Sequence, residues 1–215
     1  MAIPVKSTAD KTAEPAGSTK LRILSAAQEV FAVKGFDGAS TREIAAKAGV
    51  NISSLHYHWD SKDTLYRAIF ERIYRQLGEI LAGVVEGPRV PGGGRETVRR
   101  SISVIFDFYV QNPTVPRLLM RRIMDSDSAD EARERDVLGE TWQTFATWVR
   151  QFNGDRLPER DINFFMLTVQ CVLLVLMLDS PHVSAMLDGN VKDEAVRERL
   201  RDQVTRLVEK LIGLD

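Results

Sequence analysis

Few side chains in this 215-residue chain are placed to do covalent or metal chemistry: there are three histidines, one cysteine and scattered carboxylates. His56 and His58 stand two apart, and on a helix of about 3.6 residues per turn they diverge by about 200° and cannot share a metal. His182 follows Pro181 in a break and is expected on a surface loop, and His58 at a buried, hydrogen-bonded helix end. Cys171 lies in an apolar run and is expected to be a small core hydrophobe, since a redox thiol needs a basic, accessible setting. A lone cysteine also excludes an internal disulfide framework. Asp125, Asp127 and Asp130 lack the spacing and closing glutamate of a calcium loop. Pro91-Gly92-Gly93-Gly94 follows no strand and leads to no Gly-Lys-Ser/Thr, so it is not a phosphate loop. No Ser-His-Asp arrangement, paired carboxylates or cofactor fingerprint is present. The expectation is a protein without catalytic residues, metal or cofactor. What remains is recognition. Ile52, Ser53, Ser54, His56 and Tyr57 form a short set that is small, polar or aromatic and free of acid, as a surface facing phosphates requires.

The elements around that set are helical. Ser40-Thr41-Arg42-Glu43 is a capping box, in which the Ser40 hydroxyl takes the Glu43 amide and Glu43 reaches back. The helix it opens buries Ile44, Ala45 and Ala48 and stops at Gly49, which can adopt the left-handed conformation. Asn51 then caps a second helix over 52–58. Helix, glycine-containing turn, helix is the helix-turn-helix plan, whose second helix enters the DNA major groove. Ile44 and Leu55 pin the pair, and Trp59 closes the bottom. A helix over 18–34, stopped by Gly35, precedes it, and a long helix capped by Asp60 or Ser61 follows over 61–85.

Periodicity continues helical to the end. The breaks fall at 87–94, at Asn112-Pro113, near Asn153-Gly154 and at 179–181, and no convincing strand is found. The fold class is therefore all-α, about nine helices. Residues 1–17, with almost no large apolar side chains, are expected to be a disordered tail. Residues 18–64 form the helix-turn-helix domain, and 65–215 a helical regulatory and dimerisation domain joined through 61–85.

Charge is balanced, 29 basic against 30 acidic residues, so the chain does not hold a polyanion by bulk charge. A local patch suffices. Between 18 and 62 the bases Lys20, Arg22, Lys34, Arg42, Lys47 and Lys62 outnumber the acids Glu29, Asp37, Glu43 and Asp60 by two. Residues 162–178 are almost wholly apolar and near the shortest membrane-spanning length, but Asn163, Thr168 and Gln170 interrupt them and no basic cluster flanks them. A helix buried all round, in a core or subunit interface, is expected, with no membrane contact. The N-terminus lacks a signal peptide's apolar stretch, which points to the cytoplasm.

The anchors Thr41-Arg42-Glu43-Ile44-Ala45, Ala48-Gly49-Val50, Leu55-His56-Tyr57-His58-Trp59 and Ser61-Lys62-Asp63-Thr64-Leu65, with Phe31 and Gly35-Phe36 before them, resemble the tetracycline-repressor (TetR) family. The resemblance covers residues 20 to about 66. It implies an all-helical homodimer that binds double-stranded operator DNA, a small-molecule inducer, and roles residue by residue. Arg42 matches a base or phosphate contact, Thr41 and Tyr57 phosphate contacts, and Lys62 a phosphate anchor. Ile52, Ser53, Ser54 and His56 occupy the sequence-reading face. His56 replaces a common tyrosine and Trp59 a common phenylalanine.

For the C-terminal half, Tyr74, Phe106, Tyr109, Met120, Met124, Trp142, Phe145, Phe165 and Gln170 are candidate lining of a ligand pocket. Asn163, Gln170, Leu174, Met177, Leu200, Val204, Leu207 and Leu211 are candidate dimer contacts. The expected function is a ligand-released repressor acting at a palindromic operator. The alternatives are a structural DNA-binding protein of the same fold that senses no metabolite, and a helical enzyme that borrowed the fold.

Overall fold

A computed structural model of the protein describes residues 16–85, 93–125, 143, 146–147, 149–150, 157–178 and 180–214. The expected tail over 1–17 lies almost entirely outside the described residues. All nine elements described are helices: α1 Ala16–Gly38, α2 Thr41–Ala48, α3 Ile52–His58, α4 Lys62–Val85, α5 Gly93–Gln111, α6 Thr114–Asp125, α7 Glu159–Leu176, α8 Pro181–Met186 and α9 Glu194–Leu211.

Local signals fix the boundaries of the first four. Inside α1, Gly35 takes φ 72°, ψ −178°, a conformation open to glycine, and the helical run breaks there. Ser40 Oγ accepts the Glu43 amide at 3.2 Å. The Glu43 carboxylate does not reach back as expected; it pairs with Lys34 at 2.7 Å, where a full opposite charge outbids a neutral amide. Gly49 closes α2 in the left-handed region at φ 65°, and Asn51 Oδ1 accepts the Ser54 amide at 2.7 Å to open α3. Of the two candidate caps for α4, Ser61 is the one used. Its Oγ accepts the Thr64 amide at 3.0 Å, and Thr64 Oγ1 accepts the Ser61 amide at 3.1 Å.

Helix α1 is the hub, packing on α2, α4 and α6, while α2 rests on α3. In the second half α4 packs on α5, α5 on α9, and α6 and α9 both on α7. Ile23, Ala27, Phe31, Ile44, Leu55 and Leu65 are sealed in the first bundle. Phe31, Phe36, Tyr66 and Phe70 interlock beside them, mostly edge to face, the arrangement the ring quadrupoles favour. Phe106, Leu118, Ile162 and Leu174 are sealed in the second.

Helix α7 departs from expectation. It is not buried all round within one protomer: Phe164 is 71% exposed, Leu167 and Val175 are exposed, and so is Cys171. Cys171 is therefore no core residue. The run 162–178 that looked uniformly apolar carries two faces, one packed and one open. Among the described residues, no helix is long and apolar enough to cross a membrane. His182 sits on α8, not in a loop, and is exposed.

Candidate nucleic-acid interface

The α2–α3 unit is held from outside as well as by its own core. Ile44 and Leu55 are fully buried, with Ala45 and Ala48 small enough to let the helices meet. Arg22 on α1 sends its guanidinium to the carbonyls of Ala48 at 3.1 Å and Gly49 at 3.2 Å. These carbonyls lie at the C-terminal end of α2, where unpaired acceptors and the negative helix end favour a cation. The angle between the two helices is thus fixed by a residue about twenty-six positions away, which local periodicity gave no means of finding. Trp59 is buried beneath α3 with Lys20 Nζ 4.7 Å above its ring.

The outward face of this unit carries the expected recognition set. Ile52, Ser53, His56 and Tyr57 are exposed, Tyr57 by 82%, and Ser54 is half-buried. Tyr57 rests edge-on against His58 at 5.1 Å. His58 is half-buried at the helix end, not fully buried as expected. On α2, Thr41 is half-buried and Arg42 exposed, and Arg42 makes no ion pair or hydrogen bond among the described residues.

The electrostatics are leaner than the residue count suggests. Lys34 is neutralised by Glu43 and Lys47 by Glu29, both within 2.8 Å, and Arg22 is spent on carbonyls. Lys62, expected as a phosphate anchor, is engaged within its own protomer. Its ammonium donates to the carbonyls of Phe36 at 2.8 Å and Ala39 at 3.2 Å, and lies 4.3 Å over the Phe36 ring. The Phe36 carbonyl also accepts the Ala39 amide at 3.4 Å in the turn that follows Gly35, and the start of α4 runs past both carbonyls. Lys62 is first a staple between α1 and α4. Arg42 is left as the uncommitted cation of the α2–α3 surface.

The C-terminal candidates divide. Tyr74, Phe106, Tyr109 and Phe165 are buried in the core, and Met120 and Gln170 are half-buried. Burial, and secondarily Tyr74, pushes the Tyr109 hydroxyl well above its ordinary value, which keeps it neutral. Met124 is 66% exposed, and Trp142 and Phe145 lie outside the described residues. Of the dimer candidates, Leu174, Met177, Leu200 and Val204 point into the core of their own protomer. A residue already sealed in its own subunit offers no surface to a second one, so these four, against expectation, are core residues of the protomer. Asn163, Leu207 and Leu211 are exposed and Gln170 partly so. Phe164, Leu167 and Val175 share the exposed side and were missed, because a uniformly apolar run gives no period from which to choose a face.

Residues 23–69 match the model of the family described as bacterial regulatory proteins, tetR family. The HTH-type transcriptional activator FasR of Mycolicibacterium smegmatis is 31% identical over 105 residues, covering 49% of this chain and 47% of that protein. The HTH-type transcriptional repressor NicS of Pseudomonas putida is 29% identical over 107 residues, covering 50% and 49%. The matched segment thus spans about half the length of these relatives. The fold agrees over nearly the whole chain: the fatty acid degradation regulator FadR from Bacillus halodurans superposes with a TM-score of 0.70 at 15% identity, covering 92% of this chain and 96% of that one.

Proposed function

We propose, from the match of residues 23–69 to the model of the tetR family of bacterial regulatory proteins, that the chain is a regulator of that family: a sequence-specific DNA-binding transcriptional regulator, a cytoplasmic homodimer that represses from a palindromic operator and is released by a small molecule. Residues 18–64 are the reading head, and 65–215 the regulatory and dimerising part. The observation that carries this reading is the exposed, acid-free face of α3, opened by its cap at Asn51 and following an α2 end that Arg22 binds. Such a face fits a groove lined with phosphates and base edges.

In this reading α3 enters the major groove with Ile52, Ser53, Ser54 and His56 toward the bases and Tyr57 toward a phosphate. Arg42 and Thr41 reach the DNA from α2, Arg42 at a base edge or phosphate and Thr41 at a phosphate. His56 can donate or accept at a base edge, where a phenol would mostly stack. With so few free cations per head, useful affinity needs two heads on one duplex. The open side of α7, with Phe164, Leu167 and Val175, and Leu207 and Leu211 of α9, supplies the apolar surface for the second copy. A stable interface needs more than about 1,000 Å² in total. Ligand then acts by favouring a head spacing that mismatches the operator. One relative is named an activator and another a repressor, so the sign of regulation is checked by a reporter fused to the bound promoter.

The deciding experiment is sequencing of genomic fragments captured by the purified protein, with and without metabolite extract. Symmetric sites, partly released by extract, are expected. Sites without symmetry, indifferent to extract, would overturn the inducible-repressor reading.

A further inference from the structure

We infer that a polar crevice between the head and the regulatory helices is an oxyanion site, taking the carboxylate or phosphate group of a small effector. The crevice, about 280 Å³, lies where α1, α4 and the start of α6 meet. That volume is at the small end for ligand sites, enough for an anionic head group but not for a large apolar body. Ser25 and Gln28 face it from α1, Arg72 and Gln76 from α4, Asn112 from the α5–α6 turn and Thr114 from the start of α6.

The donor arrangement selects the sign of the guest. Gln28 is a buried polar side chain. Its Nε2 donates to Thr114 Oγ1 at 2.8 Å, and its Oε1 accepts from Arg72 Nη2 at 2.5 Å. Thr114, accepting there, keeps its own hydroxyl proton for a guest. Arg72 Nη1 reaches Ser25 Oγ only at 3.4 Å, long enough to yield to a better acceptor. Among the described residues, no carboxylate pairs with Arg72. Glu29 also lines the crevice, and its carboxylate is paired with Lys47 at 2.8 Å. Burial, then the charge of Arg75, lowers the Arg72 pKa, the mark of a cation short of compensation, which an oxyanion would relieve. Bound there, the oxyanion ties α1 to α4 and α6, the joint between head and regulatory helices. That regulatory meaning rests on the function proposed above; the binding itself does not.

The test is NMR titration of the full chain with inorganic phosphate and, separately, with acetate, at an ionic strength held constant with sodium chloride. Saturable shifts of the Arg72 Nε–H and the Gln76 side-chain amide are expected in one arm, and the arm that saturates identifies the head group. Arg72→Gln should weaken binding by about tenfold or more, as loss of a charge-assisted contact implies. Thr114→Val, which keeps the shape and removes the hydroxyl, should weaken it severalfold and serves also if Arg72→Gln fails to fold. Shifts that never saturate in either arm, or that survive both substitutions unchanged, overturn the site. Fragment capture on the same samples separates the two ideas. DNA binding without saturable anion binding removes the site alone, and anion binding without DNA binding removes the regulator reading and leaves the site.

Discussion

The outer face of α3 and the open side of α7 are both exposed on one protomer, and they are chemical opposites. The first shows hydroxyls, an imidazole, a phenol and the nearby Arg42; the second shows Phe164, Leu167, Cys171 and Val175. A polar face gains little from burial against another protein, and its partner must be a patterned array of charge and hydrogen-bonding groups. Its binding should weaken as salt rises, because each phosphate contact made by a cation releases counterions. An apolar face gains from area removed from water and should be nearly indifferent to salt. The two surfaces also differ in support: α3 is capped at Asn51 and follows an α2 end clamped by Arg22, while α7 depends on the core it packs against.

The sharpest way to break this contrast is on α7 itself. Leu174→Glu puts a charge where the protomer has no solvent and should destabilise the fold by several kcal/mol, on the order of 4 or more in urea unfolding. Phe164→Glu, on the open side, should keep its helical circular dichroism and sediment as a monomer. If Phe164→Glu stays dimeric, the interface lies elsewhere. On the head, Arg42→Ala or His56→Ala should cost about 1–3 kcal/mol on the preferred base and relax one position per half-site, read by binding-site selection. Lys62→Ala should lose about 1 kcal/mol of stability through its two carbonyl bonds and leave the salt slope nearly unchanged. A slope flattened by about 1 per subunit with stability intact would instead mean that the ammonium leaves those carbonyls for a phosphate. The smallest effect is expected at Trp59, whose buried Nε1–H finds no acceptor among the described residues. Trp59→Phe removes that orphan donor and should be neutral or stabilising by about 1 kcal/mol in thermal unfolding.

The head was legible in the sequence because its determinants are local. Ser40, Gly49 and Asn51 act on backbone within three or four positions, and Ile44 and Leu55 announce themselves by period. The clamps were not legible, since Arg22 and Lys62 reach across turns to carbonyls that no pattern marks. The same holds for the Gln28–Arg72–Thr114 network, which joins three helices through one buried amide. In the C-terminal half, helix existence could be read but facing could not. Apolar residues on every side of α7 left Leu174 and Phe164 indistinguishable until the packing of α6 and α9 chose between them.

The central claim is that α3 reads DNA and does so in pairs. Binding-site selection with the wild-type chain and with His56→Ala, each repeated across a salt series, addresses it directly. The wild type should select two inverted half-sites whose centres lie about 34–36 Å apart or a multiple of that, with affinity falling as salt rises, by a shallow slope that reflects the few free cations per head. His56→Ala should keep the spacing and the salt slope while losing preference at one position in each half. A single unsymmetric site, or a His56→Ala selection identical to that of the wild type, would contradict it.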